Sequence, residues 1–260
     1  MNANAAVLDI PIPGAKADRR PSMGRLTAVE LRKMVDTRAG FWLQLLVVAL
    51  TVAIVVVVCI VGDAKDQTLR ELLSAALAPS SILLPIVGIL LVSSEWSQRT
   101  AMTTFALVPR RPRVLAAKLL ASVVLSLVAL ALCVVVAVVG TAVAAPGLEH
   151  TWSLPVALMG QHVVSLGTGM ISGVALGAAL LASAPAIVLS FVLPIAWAIV
   201  GRLAGLDAVA RWLDGTYSLA PMTEHLMSAM EWARAGTTLA LWMLLPLLIG
   251  LWRIVRGEIR

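Results

Sequence analysis

Charge is scarce in this chain: 13% of its 260 residues are Asp, Glu, Lys or Arg, and 60% are apolar. A soluble domain carries about 25% charged and about 45–50% apolar residues, so a soluble globular protein is excluded first. Runs with no Asp, Glu, Lys or Arg extend over 39–62, 72–94, 119–148, 150–201 and 235–252. A helix needs about 20 apolar residues to cross a hydrocarbon core about 30 Å thick, so the chain reads as a polytopic membrane protein. Its net charge of +6 would suggest nucleic acid in a soluble protein. Here the 20 Lys and Arg residues lie almost wholly between the apolar runs. There they set topology and meet anionic headgroups, and no nucleic-acid partner is expected.

Groups that could carry chemistry are also scarce. The two cysteines, Cys59 and Cys133, each sit in the middle of an apolar run without metal-ligand spacing, and read as small core residues. His150, His162 and His225 form no His-Glu-x-x-His arrangement and no Cys/His cluster, so no metal site is expected. Gly169-Met170-Ile171-Ser172-Gly173 resembles a serine-nucleophile loop only loosely, because Met170 stands where glycine belongs. His162 lies ten residues from Ser172, about 15 Å along one helix, too far to serve as its base. An intramembrane hydrolase is thus the weaker alternative, and His162 reads as a packing or path residue. No Gly-x-x-x-x-Gly-Lys-Ser/Thr loop occurs, so this chain does not cradle ATP phosphates in that manner, and any such energy must come from another subunit. The spans lack the buried ionisable groups of a proton relay, which argues against ion-coupled transport.

What is present is a topology. The 52-residue run 150–201 would extend roughly 78 Å as one helix, so it must fold back. The break falls at Ala182-Ser183-Ala184-Pro185, since proline suits the first turn of a new helix. Six spans result, at about 39–62, 74–94, 116–145, 158–182, 185–202 and 235–252. Seven Lys and Arg precede the first span, five separate the second from the third and three follow the last, giving 15 on one side against 5 on the other. The positive-inside rule then places both termini in the cytoplasm. A five-span arrangement scores the same 15 to 5, but segment length and charge density favour six. Trp42, Trp96 and Trp252 fall at cytoplasmic ends as belt residues. Residues 1–22, with Pro11, Pro13, Gly14 and Pro21, form a cytoplasmic leader expected to be disordered because it is too poor in bulky apolar groups to fold, and residues 23–260 read as one six-helix transmembrane domain.

Between and within the spans, four local patterns recur. Thr27 and Glu30 make a capping box, and Leu31, Met34 and Val35 share a face with Glu30, Arg32, Lys33 and Asp36 turned away. This predicts an N-terminal interfacial helix, or else a cytosolic extension of span one. Ser165, Gly169, Gly173 and Gly177 form a small-residue stripe on span four, suited to close helix packing, either sliding or static. Leu206, Val209, Ala210 and Leu213 share one face, and Leu226, Met230 and Ala233 another, with Asp214-Gly215 as the turn between. Two short extracytoplasmic amphipathic helices are predicted there. In the loop after span two, Met102, Phe105 and Ala106 have helical spacing, and Pro109 ends the helix. Such a helix suits a groove on a cytoplasmic partner, although lying on lipid would give the same periodicity.

Glu95, Trp96 and Thr100, the run Thr104-Phe105-Ala106-Leu107-Val108-Pro109-Arg110-Arg111, and Ala116-Ala117-Lys118 together resemble ABC-2-type permeases of bacterial ABC transporters. Glu30-Leu31-Arg32-Lys33 is also typical of that family, while Arg99 stands where many relatives have glycine. The resemblance implies an all-α membrane protein of six spans in the bacterial plasma membrane, with no catalytic residue of its own. Its partners would be an ABC ATP-binding subunit carrying ATP and Mg, and a second permease half. Thr100 to Val108 would be the coupling helix, with Glu95, Thr100, Met102, Thr104, Phe105, Arg110 and Arg111 serving the contact. An exporter of a hydrophobic or amphipathic substrate is the expectation, its substrate path unassigned. A membrane anchor or assembly factor that recruits a partner without transport is the alternative.

Overall fold

The computed structural model describes residues 21–63, 67–98, 100, 104, 110–144, 149–203 and 207–256. Among them every regular element is helical, and six helices are long and apolar enough to cross a membrane. The helix α1 (Met23–Asp36) precedes the first span, α2 (Arg38–Val61). Then follow α3 (Leu69–Ser97), α4 (Arg111–Ala144), α5 (Val156–Leu180) and α6 (Ser183–Leu203). Three short helices, α7 (Asp207–Leu213), α8 (Gly215–Leu219) and α9 (Pro221–Glu224), lead to α10 (Ala229–Leu239). A π-helical turn at Ala240–Leu244 joins α10 to α11 (Leu245–Arg256), completing the last span.

α3 is the centre of the bundle. Of its most apolar window 56% is buried, against 6% for α6, so α3 is the most enclosed span while α6 lies at the periphery. Leu72, Leu73, Leu77 and Val92 of α3 meet Leu115, Leu125 and Cys133 of α4 and Met170 and Val174 of α5 in one core. Close approach of α3 and α5 depends on missing side chains. A Cβ on Gly173 would overlap the Pro85 carbonyl, one on Gly88 would stand 2.5 Å from the Met170 carbonyl oxygen, and one on Gly177 would stand 2.9 Å from that of Ile89. Gly169 has only ordinary contact, 3.9 Å from the Pro85 ring, and Ser165 lines a small cavity. The tight part of the stripe is therefore its C-terminal half.

The fold-back between α5 and α6 sits where the proline predicts it. Leu181 takes a left-handed conformation with φ 56°, its N–H bonding to the Gly177 carbonyl at 2.8 Å, and α6 then starts at Ser183 with Pro185 in its first turn. The Ser183 and Ser93 hydroxyls, 2.8 Å apart, tie this corner to α3.

Three local expectations are corrected. α1 begins four residues before the predicted capping box: Ser22 accepts from the Arg25 N–H, while Thr27 donates back to the Met23 carbonyl. Glu30 and Met34 form the buried face of α1 and Val35 is exposed, the reverse of the predicted arrangement for Glu30 and Val35. After α6 there are three short helices rather than two. There Val209, Leu226 and Met230 are exposed, and Met222 and Ser218 are the buried groups. The segment is held by polar contacts instead: Thr238 donates to the Trp212 carbonyl at 3.0 Å and the Trp242 indole to the Leu213 carbonyl at 2.7 Å.

Candidate functional site

One end of the bundle gathers the basic residues. Arg113 donates to the Pro21 carbonyl, Arg111 to the Ile254 carbonyl at 2.8 Å, and Arg253 to the Ala179 carbonyl. The last two are cations on orphan carbonyls of helix C-termini, where charge and helix dipole reinforce each other. Trp42 and Trp252 are exposed at this end, whereas Trp96 packs against the core.

Inside this end lies a four-member charge cluster. Glu30 and Lys33 come from one turn of α1, Glu95 from the last turn of α3, and Lys118 from the second turn of α4. The Lys118 ammonium donates to Glu30 Oε2 at 2.7 Å and to the Leu91 carbonyl at 2.9 Å, and it stands 3.0 Å from Glu95 Oε1. Three protons thus meet three oxygens. Lys33 bridges the same acids, at 2.8 Å from Glu30 Oε1 and 2.7 Å from Glu95 Oε1. The Lys118 side chain is 3% exposed, those of Glu30 and Glu95 5% and 9%, and that of Lys33 36%, so Lys33 covers an otherwise dry cluster. Burial opposes the charge of Lys33, but the Glu30 and Glu95 carboxylates outweigh it and hold its pKa above the ordinary lysine value. Two acids and two lysines leave no net charge, and a buried ion group persists only when paired and bonded in this way.

The cluster is also connected to the segment that follows α3. The Thr100 N–H bonds to the Glu95 carbonyl at 2.9 Å, and the Thr104 N–H bonds to the Thr100 carbonyl at 3.1 Å. These two backbone hydrogen bonds join Thr104, through Thr100, to the last turn of α3, where Glu95 meets Lys118 and Lys33. Met102 and Phe105 lie outside the described residues, as does most of the span 101–109. Arg110 is exposed at the start of α4, and its carbonyl accepts from the Arg113 N–H at 2.9 Å.

Sequence reasoning singled out Glu95 but missed its partners. Glu30 and Lys33 read as solvent-facing because their neighbours on α1 are charged, and Lys118 read as one more flanking cation. The missed signal was the pairing of opposite charges at the ends of adjacent runs, Glu95 closing one and Lys118 opening the next, with an i, i+3 Glu-Lys pair upstream.

At the opposite end, Gln161 holds the cover formed by α9 and the residues after it. Its amide donates to the His225 carbonyl at 2.7 Å and accepts from the Met227 N–H at 2.9 Å. His162 beside it is buried, and its Nδ1 has no hydrogen-bond partner among the described residues. Ser172 donates to the Thr168 carbonyl at 2.8 Å within α5. No group of three potential metal ligands occurs among the described residues. No family model matches the sequence, and no curated protein does so either.

Proposed function

We propose that this chain is the permease subunit of an ATP-driven transporter of the ABC-2 type, exporting a hydrophobic or amphipathic substrate from a bacterial cell. In this reading the basic end faces the cytoplasm with both termini. An ATP-binding subunit, which carries ATP and Mg, grips residues 100–108 there, and a second permease half completes the pathway. The observation that carries it is the hydrogen-bonded chain from Thr104 through Thr100 to Glu95 and the buried ion cluster. We read this connection between Thr104 and three helices as the route by which a partner's nucleotide cycle reaches the spans. Nucleotide binding in the partner and helix tilt in this chain are then linked equilibria, each biasing the other by the same factor. The uncovered apolar surface of α6, with Val188, Phe191, Val192 and Ile195 exposed, gives lipid or a second half a surface to cover.

Phe105, on the apolar face of the predicted coupling helix, tests the reading. Phe105→Ala is expected to leave expression and folding normal, and to abolish the change in ATP turnover that this chain produces in its co-purified ATP-binding subunit. Unaltered turnover and transport in the variant would count against the contact. An anchor without transport would bind a partner whose turnover never responds to this chain.

A further inference from the structure

Residues 101–109 are bounded by two anchored positions. Thr100, before them, bonds to the Glu95 carbonyl and belongs to the site already described. Arg111, after them, opens α4 and is held elsewhere: its guanidinium donates to the Ile254 carbonyl at 2.8 Å and stands 3.5 Å from the Val255 carbonyl. Both carbonyls lie in the last turn of α11, which ends at Arg256, so neither has an N–H partner within its own helix. The sequence gave Arg110 and Arg111 one shared task, contact with a partner. Here Arg110 is exposed, while Arg111 is half-buried and turned onto α11.

From the same turn of α11 a second arginine reaches onward. Arg253 donates to the Ala179 carbonyl, in the last turn of α5 and two residues before the left-handed Leu181 that turns the chain into α6. α11 and α5 touch backbone to backbone beside it: a Cβ on Gly250 would stand 2.5 Å from the Ala178 Cβ and 2.8 Å from its carbonyl carbon. The corner is tied back to α3 by the Ser183 and Ser93 hydroxyls, two residues from Glu95. Water can satisfy the carbonyls of an exposed helix end, and Trp252, Val255 and Arg256 show that this end is exposed. Arginines supplied by a neighbouring helix do something water cannot, which is to fix one helix end to another. Arg111 and Lys118 stand seven residues apart on one stripe of α4, so the same helix face that enters the ion cluster also carries the link to α11.

We propose that Arg111 is a positioning residue for the coupling contact, fixing α11 to the end of that segment remote from Glu95, and that Arg253 passes the position of α11 on to the corner of α5 and α6. The inference rests on the proposed role of residues 100–108 and adds an ordered second route to it. The ion cluster serves α1, α3 and α4; the two arginines serve α11 first, then α5 and α6.

The test uses the full chain with its co-purified ATP-binding subunit in nanodiscs, and follows hydrogen–deuterium exchange with and without a non-hydrolysable ATP analogue. In wild type the nucleotide is expected to change exchange about fivefold, the lower end of ordinary coupling, in α1, in the last turn of α11 and at the corner of α5 and α6. Arg111→Gln is expected to keep the response in α1 and to lose it at the other two places. Arg253→Gln is expected to lose it at the corner alone, and Arg111→Lys, which returns a cation to the end of α11, to recover more than half of it. A general loss of stability would weaken all three responses together, so the split is what a merely structural arginine would not produce. Should Arg111→Gln fail to fold, Arg253→Gln carries the same test. A wild-type response at α11 in Arg111→Gln, an equal loss in α1, or an undiminished corner response in Arg253→Gln would overturn the inference and leave the proposed function standing. A wild-type complex that shows no nucleotide response in any of the three places overturns the proposed function, and the inference falls with it.

Discussion

Lys118→Met is expected to cost about 3–5 kcal/mol of stability, because removing one member of a buried ion group leaves its partners charged and unpaired. The side chain is 3% exposed and serves Glu30, Glu95 and the Leu91 carbonyl together, so no water can replace it without opening the junction of α1, α3 and α4. For a chain of this size that cost lowers the thermal midpoint by about 6–20 °C. Exposed ion pairs behave differently: Arg32 and Asp36 stand 2.8 Å apart with 82% and 60% of their side chains exposed, and their loss is worth about 1 kcal/mol or less. Adding Glu30→Gln to Lys118→Met restores charge balance, with Lys33 left to pair with Glu95, and is expected to recover more than half of the lost midpoint. Fluorescence melts of the detergent-solubilised variants measure both. A Lys118→Met midpoint within 2 °C of wild type would contradict a dry cluster.

The second large effect separates glycines of one stripe. Gly173→Ala places a methyl group on the Pro85 carbonyl, an obstruction made of helix backbone that cannot rotate away. Overpacking of this kind costs about 1–3 kcal/mol, and more where backbone must move. The helix propensity gained over glycine, about 1 kcal/mol, does not offset it. Gly169→Ala, four residues earlier, meets only the Pro85 ring at 3.9 Å and is expected to behave like wild type. Gly160→Ala has nothing within 4 Å and serves as the control that gains propensity alone. Ranking the three by thermal midpoint gives Gly173→Ala well below Gly169→Ala, with Gly160→Ala equal to or above wild type. Equal losses at 169 and 173 would mean that α3 and α5 pack in another register.

The spans were legible because membrane thickness sets a length, and a run of 52 uncharged residues exceeds it whatever their order. The corner at Ser183 was legible because proline acts locally on its own backbone and that of its predecessor. The ion cluster was not, for a matching reason. Lys33 and Glu95 are 62 residues apart in sequence and Lys118 and Glu30 are 88 apart, so nothing within one turn of α1 reveals that its charges are neutralised from outside. An amphipathic reading sends charge to solvent by default, and here it placed Met34 correctly but exchanged Glu30 and Val35. The same default misread the segment after α6, where backbone carbonyls at Trp212 and Leu213 anchor the fold in place of an apolar stripe.

The proposed coupling from Thr104 to Glu95 is the centre of the functional account, and a photo-crosslinking amino acid at Thr104 tests it in living cells. The account predicts an adduct with a chain that carries a Gly-x-x-x-x-Gly-Lys-Ser/Thr loop, its yield changing when nucleotide is depleted. Adducts with lipid alone, or with proteins outside the cell, would contradict it.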